Sequence, residues 1–321
     1  MPAPFALPEG LPPSLPMSRA KFLRLAAAGA ASLVLGAPAR AADRPSVPAL
    51  RTRPIPATGE ALPVIGCGTY VGFDVAGDSA EYQRLPGVLQ ALFDAGGSVI
   101  DSSPMYGRAE AVTGELLAAT GSHGKAFLAT KVWTRGRAEG IRQMEESLRR
   151  LRVERLDLMQ IHNLVDWQTH LATLREWKAA GRVRYLGVTH YTAGAYDALE
   201  AVMRTEALDF VQINYSLDEH EAARRILPLA AERGMAVIIN RPFGGGGLLR
   251  RLRAQPLPPW AAEIDASSWA QLLLKFVLSH PAVTCAIPGT SRPEHMADNA
   301  LAGSGLIPEP GFWERHRIDA A

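Results

Sequence analysis

Short apolar runs alternate with longer amphipathic stretches along the chain from about residue 60. The apolar runs are about 4–8 residues long and rich in β-branched side chains, which is typical of strands buried in a parallel sheet. These predicted strands cover residues 64–70, 98–103, 126–132, 156–163, 183–190, 210–215, 236–243 and 283–288. Apolar residues at helical spacing predict helices over residues 86–95, 109–120, 140–152, 170–181, 195–206, 222–233 and 267–280. Four predicted helices are followed by a glycine suited to a left-handed cap, at Gly96, Gly121, Gly181 and Gly234.

This order of elements predicts the fold. Eight strands, each followed by a helix, in about 250 residues indicate a closed (β/α)8 TIM barrel of the α/β class. The alternative is an open doubly wound sheet, which needs a G-x-G-x-x-G turn after its first strand. Residues 66–72 read GCGTYVG and miss that spacing, so we favour the barrel. Residues 51–62 predict a short hairpin that turns at Thr58-Gly59 and plugs the barrel floor. Residues 244–266 form the longest stretch without a predicted element.

The N-terminal segment has the composition of a processing signal. Residues 17–24 are positively charged, residues 25–37 are apolar, and small-residue cleavage patterns follow at 37–39 and 39–41. An apolar run of about 13 residues is well short of the ~20 needed to span a bilayer. We therefore expect a secretory signal cleaved near residues 39–42, with an uncleaved N-terminal helix as the alternative.

The same segment indicates a route of export. Residues 18–24, SRAKFLR, resemble a bacterial twin-arginine motif, with Ala20 where the second arginine belongs. Met17 stands at the start of a complete signal and is a candidate start of translation. We expect a leader over residues 1–42, a single barrel domain over residues 43–321, and a periplasmic mature protein without a membrane span.

Composition and charge exclude several classes of protein. The chain has 34 basic and 32 acidic residues and is 47% hydrophobic, which excludes disorder by composition. Residues 1–42 carry four basic residues and one acidic residue, so the rest of the chain has a net charge of −1 and a nucleic-acid partner is not expected. The two cysteines, Cys67 and Cys285, fall on the first and eighth strands. We expect buried thiols there, with a disulfide as the alternative.

Polar residues at the ends of three consecutive predicted strands carry the candidate chemistry, since reactive groups of such barrels lie at the carboxyl ends of strands. A buried Lys131 needs an anionic partner, which Asp101 can supply. The lysine charge next to Tyr106 is expected to lower the pKa of the phenol from about 10 and make it a general acid. His162 can orient a substrate oxygen. Each residue alone also fits a structural role, and their coincidence indicates protonation of a carbonyl oxygen.

Several motifs together resemble the aldo-keto reductase family over about residues 51–303. They are Gly66-Cys67-Gly68-Thr69-Tyr70, Asp101 with Tyr106-Gly107, Thr130-Lys131-Val132-Trp133, Gln160-Ile161-His162-Asn163, Gly187-Val188-Thr189-His190, Gln212-Ile213-Asn214-Tyr215, and 287–295 running on to Asp298-Asn299. The resemblance implies a catalytic tetrad of Asp101, Tyr106, Lys131 and His162, with tyrosine as the general acid. It implies NADPH as the hydride donor, with NADH as the alternative, and a small-molecule carbonyl substrate.

The resemblance also implies binding residues. Thr189, His190 and Gln212 would bind the nicotinamide carboxamide, 290–292 the adenosine 2′-phosphate, and 298–299 the adenine. The full set implied for the cofactor is Thr69, Thr189, His190, Gln212, Asn240, Arg241, Pro242, Phe243, Gly244, Thr290, Ser291, Arg292, His295, Asp298 and Asn299. The set expected to line the substrate cleft is Tyr70, Trp133, Asn163 and Phe243. No metal site is expected.

The sequence departs from the family pattern at four positions. His190 stands where the family has an asparagine, and Asn240 where a tyrosine usually stacks on the nicotinamide. Gly289 and His295 replace a lysine and an arginine, so a preference for NADPH rests mainly on Arg292.

Two other functions remain open on the sequence. Lys131 could act as the nucleophile of a Schiff-base lyase or aldolase. The chain could also be a non-catalytic nicotinamide-binding module. A metal-dependent hydrolase is disfavoured because the first strand lacks paired histidines, and we expect a monomer.

Overall fold

The computed structural model describes residues 49–316 and residue 318, so the predicted leader lies outside the described residues. Its strands are β1 (Thr52–Pro54), β2 (Ala61–Pro63), β3 (Cys67–Gly68), β4 (Val99–Asp101), β5 (Phe127–Val132), β6 (Leu156–His162), β7 (Val183–Thr189), β8 (Phe210–Asn214), β9 (Ala236–Asn240) and β10 (Cys285–Ala286). Its α-helices are α1 (Leu85–Asp94), α2 (Ala109–Thr120), α3 (Arg137–Leu151), α4 (Trp167–Ala179), α5 (Tyr196–Thr205), α6 (Ile226–Glu232), α7 (Gly247–Leu252), α8 (Trp269–Ser279), α9 (Pro293–Leu301) and α10 (Pro310–Arg315).

Eight parallel strands, β3 to β10, lie side by side in chain order. The first and last meet through two bridges, Ile65 with Ala286 and Gly68 with Gly289, which close the sheet. The predicted (β/α)8 barrel is therefore confirmed. At the closure the strands are shorter than predicted, since β3 and β10 have two residues each. The backbones approach so closely there that a Cβ on Gly68 would lie 2.9 Å from the carbonyl oxygen of Ile287.

The hairpin expected at the barrel floor is present. Strands β1 and β2 pair antiparallel, and Gly59 turns the chain with a φ of 76°. Ile55 and Leu62 from this hairpin join the apolar cluster inside the barrel. That cluster comprises Ile55, Leu62, Val99, Phe127, Ala129, Leu158, Tyr185, Phe210, Ala236, Ile238, Cys285 and Ile287. The lower interior is therefore a packed apolar layer, which leaves the strand ends above it for polar groups.

The two cysteines are buried free thiols, as expected. Cys285 belongs to the cluster inside the barrel, whereas Cys67 belongs to the cluster between the strands and the helices. Their side chains therefore lie on opposite faces of the sheet, which explains why neighbouring strands form no disulfide here.

The remaining differences from the predicted elements are short helices. Residues 244–266 contain α7 and two 3-10 segments, Gly244–Gly246 and Pro259–Ile264. Helix α10, of six residues, was not predicted. Helices of one or two turns repeat the apolar spacing too few times to give a clear pattern.

The four predicted cap glycines all have positive φ. Among the described helices, none combines the length and apolar character that a membrane crossing needs.

The close crossing of α2 and α3 yields a stability prediction. A Cβ on Gly114 would overlap the carbonyl oxygen of Arg150, which is backbone and cannot move aside. Gly114→Ala should therefore lower the free energy of unfolding by about 1–3 kcal/mol or more, although alanine is the better helix former. Urea unfolding measures this change. Gly124→Ala is the matched control, since nothing lies within 4 Å of its Cβ position. Equal stability of both variants would contradict the prediction.

Candidate active site

The four proposed catalytic residues meet at the carboxyl ends of β4, β5 and β6. Asp101 ends β4, Lys131 is the penultimate residue of β5, and His162 ends β6. Tyr106 lies in the loop that follows β4. The barrel brings them together because parallel strands deliver their carboxyl ends to one rim.

A buried ion pair lies at the centre of this group. Lys131 Nζ is 2.6 Å from Asp101 Oδ2 and also donates to the Ser102 carbonyl oxygen at 2.7 Å. The lysine side chain has no exposed surface. Its burial opposes the charge, but Asp101 and Tyr106 outweigh it and raise the pKa of Lys131 above its ordinary value. The ammonium is therefore held protonated.

The second oxygen of Asp101 reaches across the barrel. Asp101 Oδ1 accepts from Gln212 Nε2 at 2.9 Å and from Gln160 Nε2 at 3.3 Å. Thr189 Oγ1 donates to Gln212 Oε1 at 3.2 Å, so both ends of the Gln212 amide are oriented. One carboxylate thus joins Lys131 to the predicted carboxamide site. Thr69 is buried, and its Oγ1 donates to the Asp101 carbonyl oxygen at 3.0 Å.

The Tyr106 hydroxyl does not have the lowered pKa that the sequence suggested. Burial raises the pKa of Tyr106, Lys131 lowers it in part, and the Asp101 charge raises it again. Lys131 Nζ lies 5.2 Å from the centre of the Tyr106 ring. Burial changes the pKa of Tyr106 more than the nearest cation, Lys131, does. Tyr106 is consequently a protonated phenol at neutral pH.

His162 faces Tyr106 edge-on. The ring centroids are 6.2 Å apart, with 86° between the planes. Burial, Lys131 and His190 together lower the pKa of His162 to about 3. Its Nδ1 lies 3.2 Å from Ser103 Oγ, which fixes the ring. A neutral imidazole in this position can hydrogen-bond a substrate oxygen without carrying charge. Ser103 was missed in the sequence because one buried serine gives no distinguishing pattern.

Exposed apolar side chains surround this group. Tyr70 is 65% exposed and 5.0 Å from the Tyr106 ring, and Trp133 is 41% exposed and 6.4 Å from the His162 ring. Val71, which follows Tyr70, and Met105, which precedes Tyr106, are also exposed. We call Tyr70, Val71, Met105 and Trp133 the apolar rim.

Asn163 and Phe243 were the other two predicted substrate residues. Asn163 follows His162 with a φ of 52°, and its buried Oδ1 has no hydrogen-bond partner among the described residues. Phe243 packs against the small apolar cluster of Leu248, Leu252 and Leu273.

A second polar set lies at the ends of β7, β8 and β9. His190 Nδ1 accepts the Tyr191 N–H at 3.0 Å, so the neutral ring carries its proton on Nε2. Asn240 Nδ2 donates to the His190 carbonyl oxygen at 3.2 Å, and Asn240 Oδ1 is buried without a partner in the described part of the chain. With Gln212, this set offers both donors and acceptors, which fits an amide group.

Three residues of the set implied for the cofactor, Arg241, Pro242 and Gly244, follow β9, and two of them have a positive φ. Arg241 has a φ of 50°, and its Nη2 lies 3.5 Å from Glu219 Oε1; Pro242 follows it. Gly244 adopts a φ of 57° and packs against the Asp218 carboxylate. These residues lie on the loop between β9 and α7.

The predicted 2′-phosphate segment precedes α9. Thr290 Oγ1 accepts the Arg292 N–H at 3.1 Å, and Ser291 lies between them. Arg292 and His295 are exposed, and Arg292 has no carboxylate within 4.0 Å among residues 49–316 and 318. The Arg292 guanidinium is therefore accessible to a phosphate.

The two residues predicted to contact the adenine, Asp298 and Asn299, have different environments. Both Asp298 oxygens are engaged, since Ser268 Oγ and Gln271 Nε2 donate to them at 2.7 and 2.6 Å. Asn299 is buried on α9. The Asp298 carboxylate thus serves the start of α8, and an adenine contact from it stays a prediction. No cluster of three metal-ligating side chains occurs in the described residues.

Comparison with known proteins decides the family. The model of the Aldo/keto reductase family matches residues 64–309, which is most of the chain. The chain belongs to the aldo/keto reductase family. As an aldo/keto reductase it is an oxidoreductase, and its relatives agree. The methylglyoxal reductase YeaE of Escherichia coli is 32% identical over 247 residues, which are 74% of this chain and 84% of that protein.

Solved aldo-keto reductases share the fold. A crystal structure from Klebsiella pneumoniae in complex with NADPH is 29% identical, has a TM-score of 0.70, and covers 84% of this chain and 94% of that one. Another from the same organism, in complex with NADP and acetate, is 29% identical with a TM-score of 0.68 and covers 80% of this chain and 92% of that one.

The environment of His162 predicts its titration. The pKa of His162 is about 3, below its ordinary 6.5, so the ring should stay neutral from about pH 8 to about pH 5. Because the folded-state pKa is depressed, the stability that His162 contributes is complete above pH 6.5 and is lost as the pH falls toward 3. Nitrogen NMR of the imidazole, assigned with His162→Gln, tests this. A midpoint near 6.5 would contradict it.

Proposed function

We propose that this aldo/keto reductase catalyses the NADPH-dependent reduction of an aldehyde or ketone to an alcohol. The observation that carries the proposal is the buried, protonated Lys131, paired with Asp101 and lying beside the Tyr106 ring. A cation in that position stabilises negative charge on the phenol oxygen.

The residues divide the work of proton transfer. When bound, the reduced nicotinamide supplies a hydride to the carbonyl carbon. Tyr106 keeps its proton until charge develops on the carbonyl oxygen, because its pKa is raised in the ground state. It then gives that proton to the oxygen, and Lys131 stabilises the phenolate that remains. His162, being neutral, donates an N–H to the same oxygen and orients the carbonyl.

The second polar set supports nicotinamide binding. Gln212, Thr189, His190 and Asn240 provide donors and acceptors for the carboxamide. The exposed Arg292 offers a bidentate donor for the 2′-phosphate, which favours NADPH over NADH. The related Klebsiella pneumoniae structure holds NADPH.

The apolar rim supports an apolar or aromatic carbonyl substrate. Tyr70 lies beside Tyr106, Trp133 lies beside His162, and both expose ring surface. Burying such surface against a substrate contributes about 25 cal/mol per Å². The Escherichia coli relative is named for methylglyoxal, a small carbonyl compound, and both substrate classes belong in a screen.

The Schiff-base alternative has no support in the geometry of Lys131. A nucleophilic amine must be unprotonated, whereas Asp101 and Tyr106 raise the pKa of Lys131. Its Nζ is also bound to Asp101 and to the Ser102 carbonyl oxygen.

Tyr106→Phe tests the reaction. The substitution removes the acidic proton but keeps the ring, so kcat should fall by about 10²- to 10⁴-fold. The dissociation constant for NADPH, measured by fluorescence titration beside NADH, should change little. Tyr82→Phe is the control, since among the described residues its hydroxyl bonds only to Glu115, at 3.5 Å.

Three outcomes separate the alternatives. Failure of both nucleotides to bind would defeat the proposal. Tight NADPH binding with turnover unaffected by Tyr106→Phe would favour a non-catalytic module. Borohydride trapping of substrate on Lys131 would favour the lyase. Light scattering on the same samples would check the expected monomer.

We propose further that residues 1–42 direct export to the periplasm. The charged and apolar regions over 17–37 support this. Expressed with its leader in a bacterium, the protein should appear in the periplasmic fraction with an N-terminus near residues 39–42. Replacing Arg19 and Lys21 by glutamine should retain it in the cytoplasm. An unprocessed N-terminus in the cytoplasmic fraction of the unsubstituted protein would contradict the proposal.

A further inference from the structure

A buried carboxyl group lies on the helix side of the sheet, next to the strand ends that carry the proposed catalytic residues. Glu110 is the second residue of α2, four positions after Tyr106, and its side chain is 1% exposed. It is enclosed between α2, β5 and α3 because these two helices cross closely at Gly114. Carboxyl groups are rarely buried to this extent unless they are fully paired.

The partners of Glu110 are incomplete. Its Oε1 accepts a 2.6 Å hydrogen bond from Thr130 Oγ1. Its Oε2 is 3.8 Å from Arg150 Nη1 and has no hydrogen-bond partner in the described part of the chain. Arg150 is shared, since its Nε donates to Glu146 at 2.7 Å. Burial raises the pKa of Glu110, and the Thr130 hydrogen bond, the neighbouring Ser147 hydroxyl and the Arg150 charge offset this only in part. Packing alone does not account for a carboxyl group here.

The bond to Thr130 joins two catalytic segments. Side chains alternate along a strand, so Thr130 faces the helices whereas Lys131 faces the barrel interior. Glu110 belongs to the helix start that follows Tyr106, where the Ala109 N–H donates to the Tyr106 carbonyl oxygen at 3.1 Å. The hydrogen bond therefore connects the segment of the general acid to the segment of its cation.

The Tyr106 segment is also held on its other side. The Arg108 N–H donates to Asp74 Oδ1 at 2.9 Å. The Asp74 carboxylate packs so closely on Gly107 that a Cβ there would overlap it. With Asp74 on one side and Glu110 on the other, the segment has little freedom to move relative to β5.

We propose that Glu110 is a positioning residue, which holds the Tyr106 segment against β5 through Thr130 and so sets the separation between the Tyr106 hydroxyl and Lys131 Nζ. The inference rests on the proposed function, in which Lys131 stabilises the phenolate. Loss of the tether lengthens that separation and weakens the attraction that favours ionisation of the phenol. The titratable groups beside the phenol and the carboxyl are Lys131, Asp101, Tyr70, His162 and Arg150.

Two substitutions remove the tether from opposite ends. Glu110→Ala deletes the acceptor, and Thr130→Val deletes the donor with almost no change of shape. Thr113→Val is the matched control, because it also removes a buried threonine hydroxyl, which donates to the Ala109 carbonyl oxygen at 2.7 Å without reaching β5. Glu110→Gln keeps an acceptor oxygen for Thr130 and should restore the behaviour of the unsubstituted protein.

The readout is the ionisation of Tyr106 itself. Tyrosinate absorbance is followed against pH for each protein and for its Tyr106→Phe derivative, and the difference isolates this phenol. The alkaline limb of kcat/KM is recorded in parallel. Glu110→Ala, Thr130→Val and their double variant should each lower the ionisation constant of Tyr106 by about threefold or more, with no further loss in the double variant. Thr113→Val should lower Tm without moving either titration.

Two results would overturn the inference. One is a Tyr106 titration in Glu110→Ala and Thr130→Val that coincides with that of the unsubstituted protein. The other is an equal shift in Thr113→Val, which would show a general effect of lost stability. If Glu110→Ala fails to fold, Thr130→Val alone decides. Absence of carbonyl reduction by the unsubstituted protein would defeat the proposed function, and the spectroscopic titration would still decide on the tether.

Discussion

The buried ion pair between Lys131 and Asp101 imposes the conditions that the rest of the site meets. An ammonium with no exposed surface is stable inside a barrel only beside an anion, and Asp101 Oδ2 stands 2.6 Å away. The register of the sheet makes this possible, because Asp101 pairs with Ala129, two residues before Lys131 on β5. The other carboxylate oxygen holds Gln212 and Gln160, so side chains from β5, β6 and β8 converge on one group of β4.

The same burial acts in two directions at Tyr106. It raises the pKa of the phenol, and it also strengthens the effect of a nearby cation once negative charge forms. The apolar layer below, with Phe127 and Leu158, keeps water from the ion pair. Tyr106 is thus a protonated acid beside the fixed Lys131 charge because both groups lie where the polar layer of the barrel begins.

Local patterns in the sequence were sufficient for the fold and for the centre of the site. The alternation of strands and helices predicts the barrel, and the strand-end rule brings Asp101, Lys131 and His162 together. Properties that depend on distant packing were not predictable. Glu110 resembles an ordinary acidic residue of a first helical turn, and its burial follows from the crossing of α2 and α3. Asp298 is engaged by Ser268, 30 positions earlier in the chain. The pKa of Tyr106 depends on burial by several elements at once.

The closure of the barrel has a mechanical consequence. Strands β3 and β10 are joined by few backbone hydrogen bonds, among them Gly66 N–H to Ala286 O at 2.9 Å and Gly68 N–H to Pro288 O at 3.2 Å. A joint with few bonds opens at lower free energy than one between long strands. Tyr70 leaves this joint on one side and Thr290 on the other. The segment that begins the apolar rim and the segment that carries Arg292 therefore both leave the sheet at a joint held by few backbone hydrogen bonds.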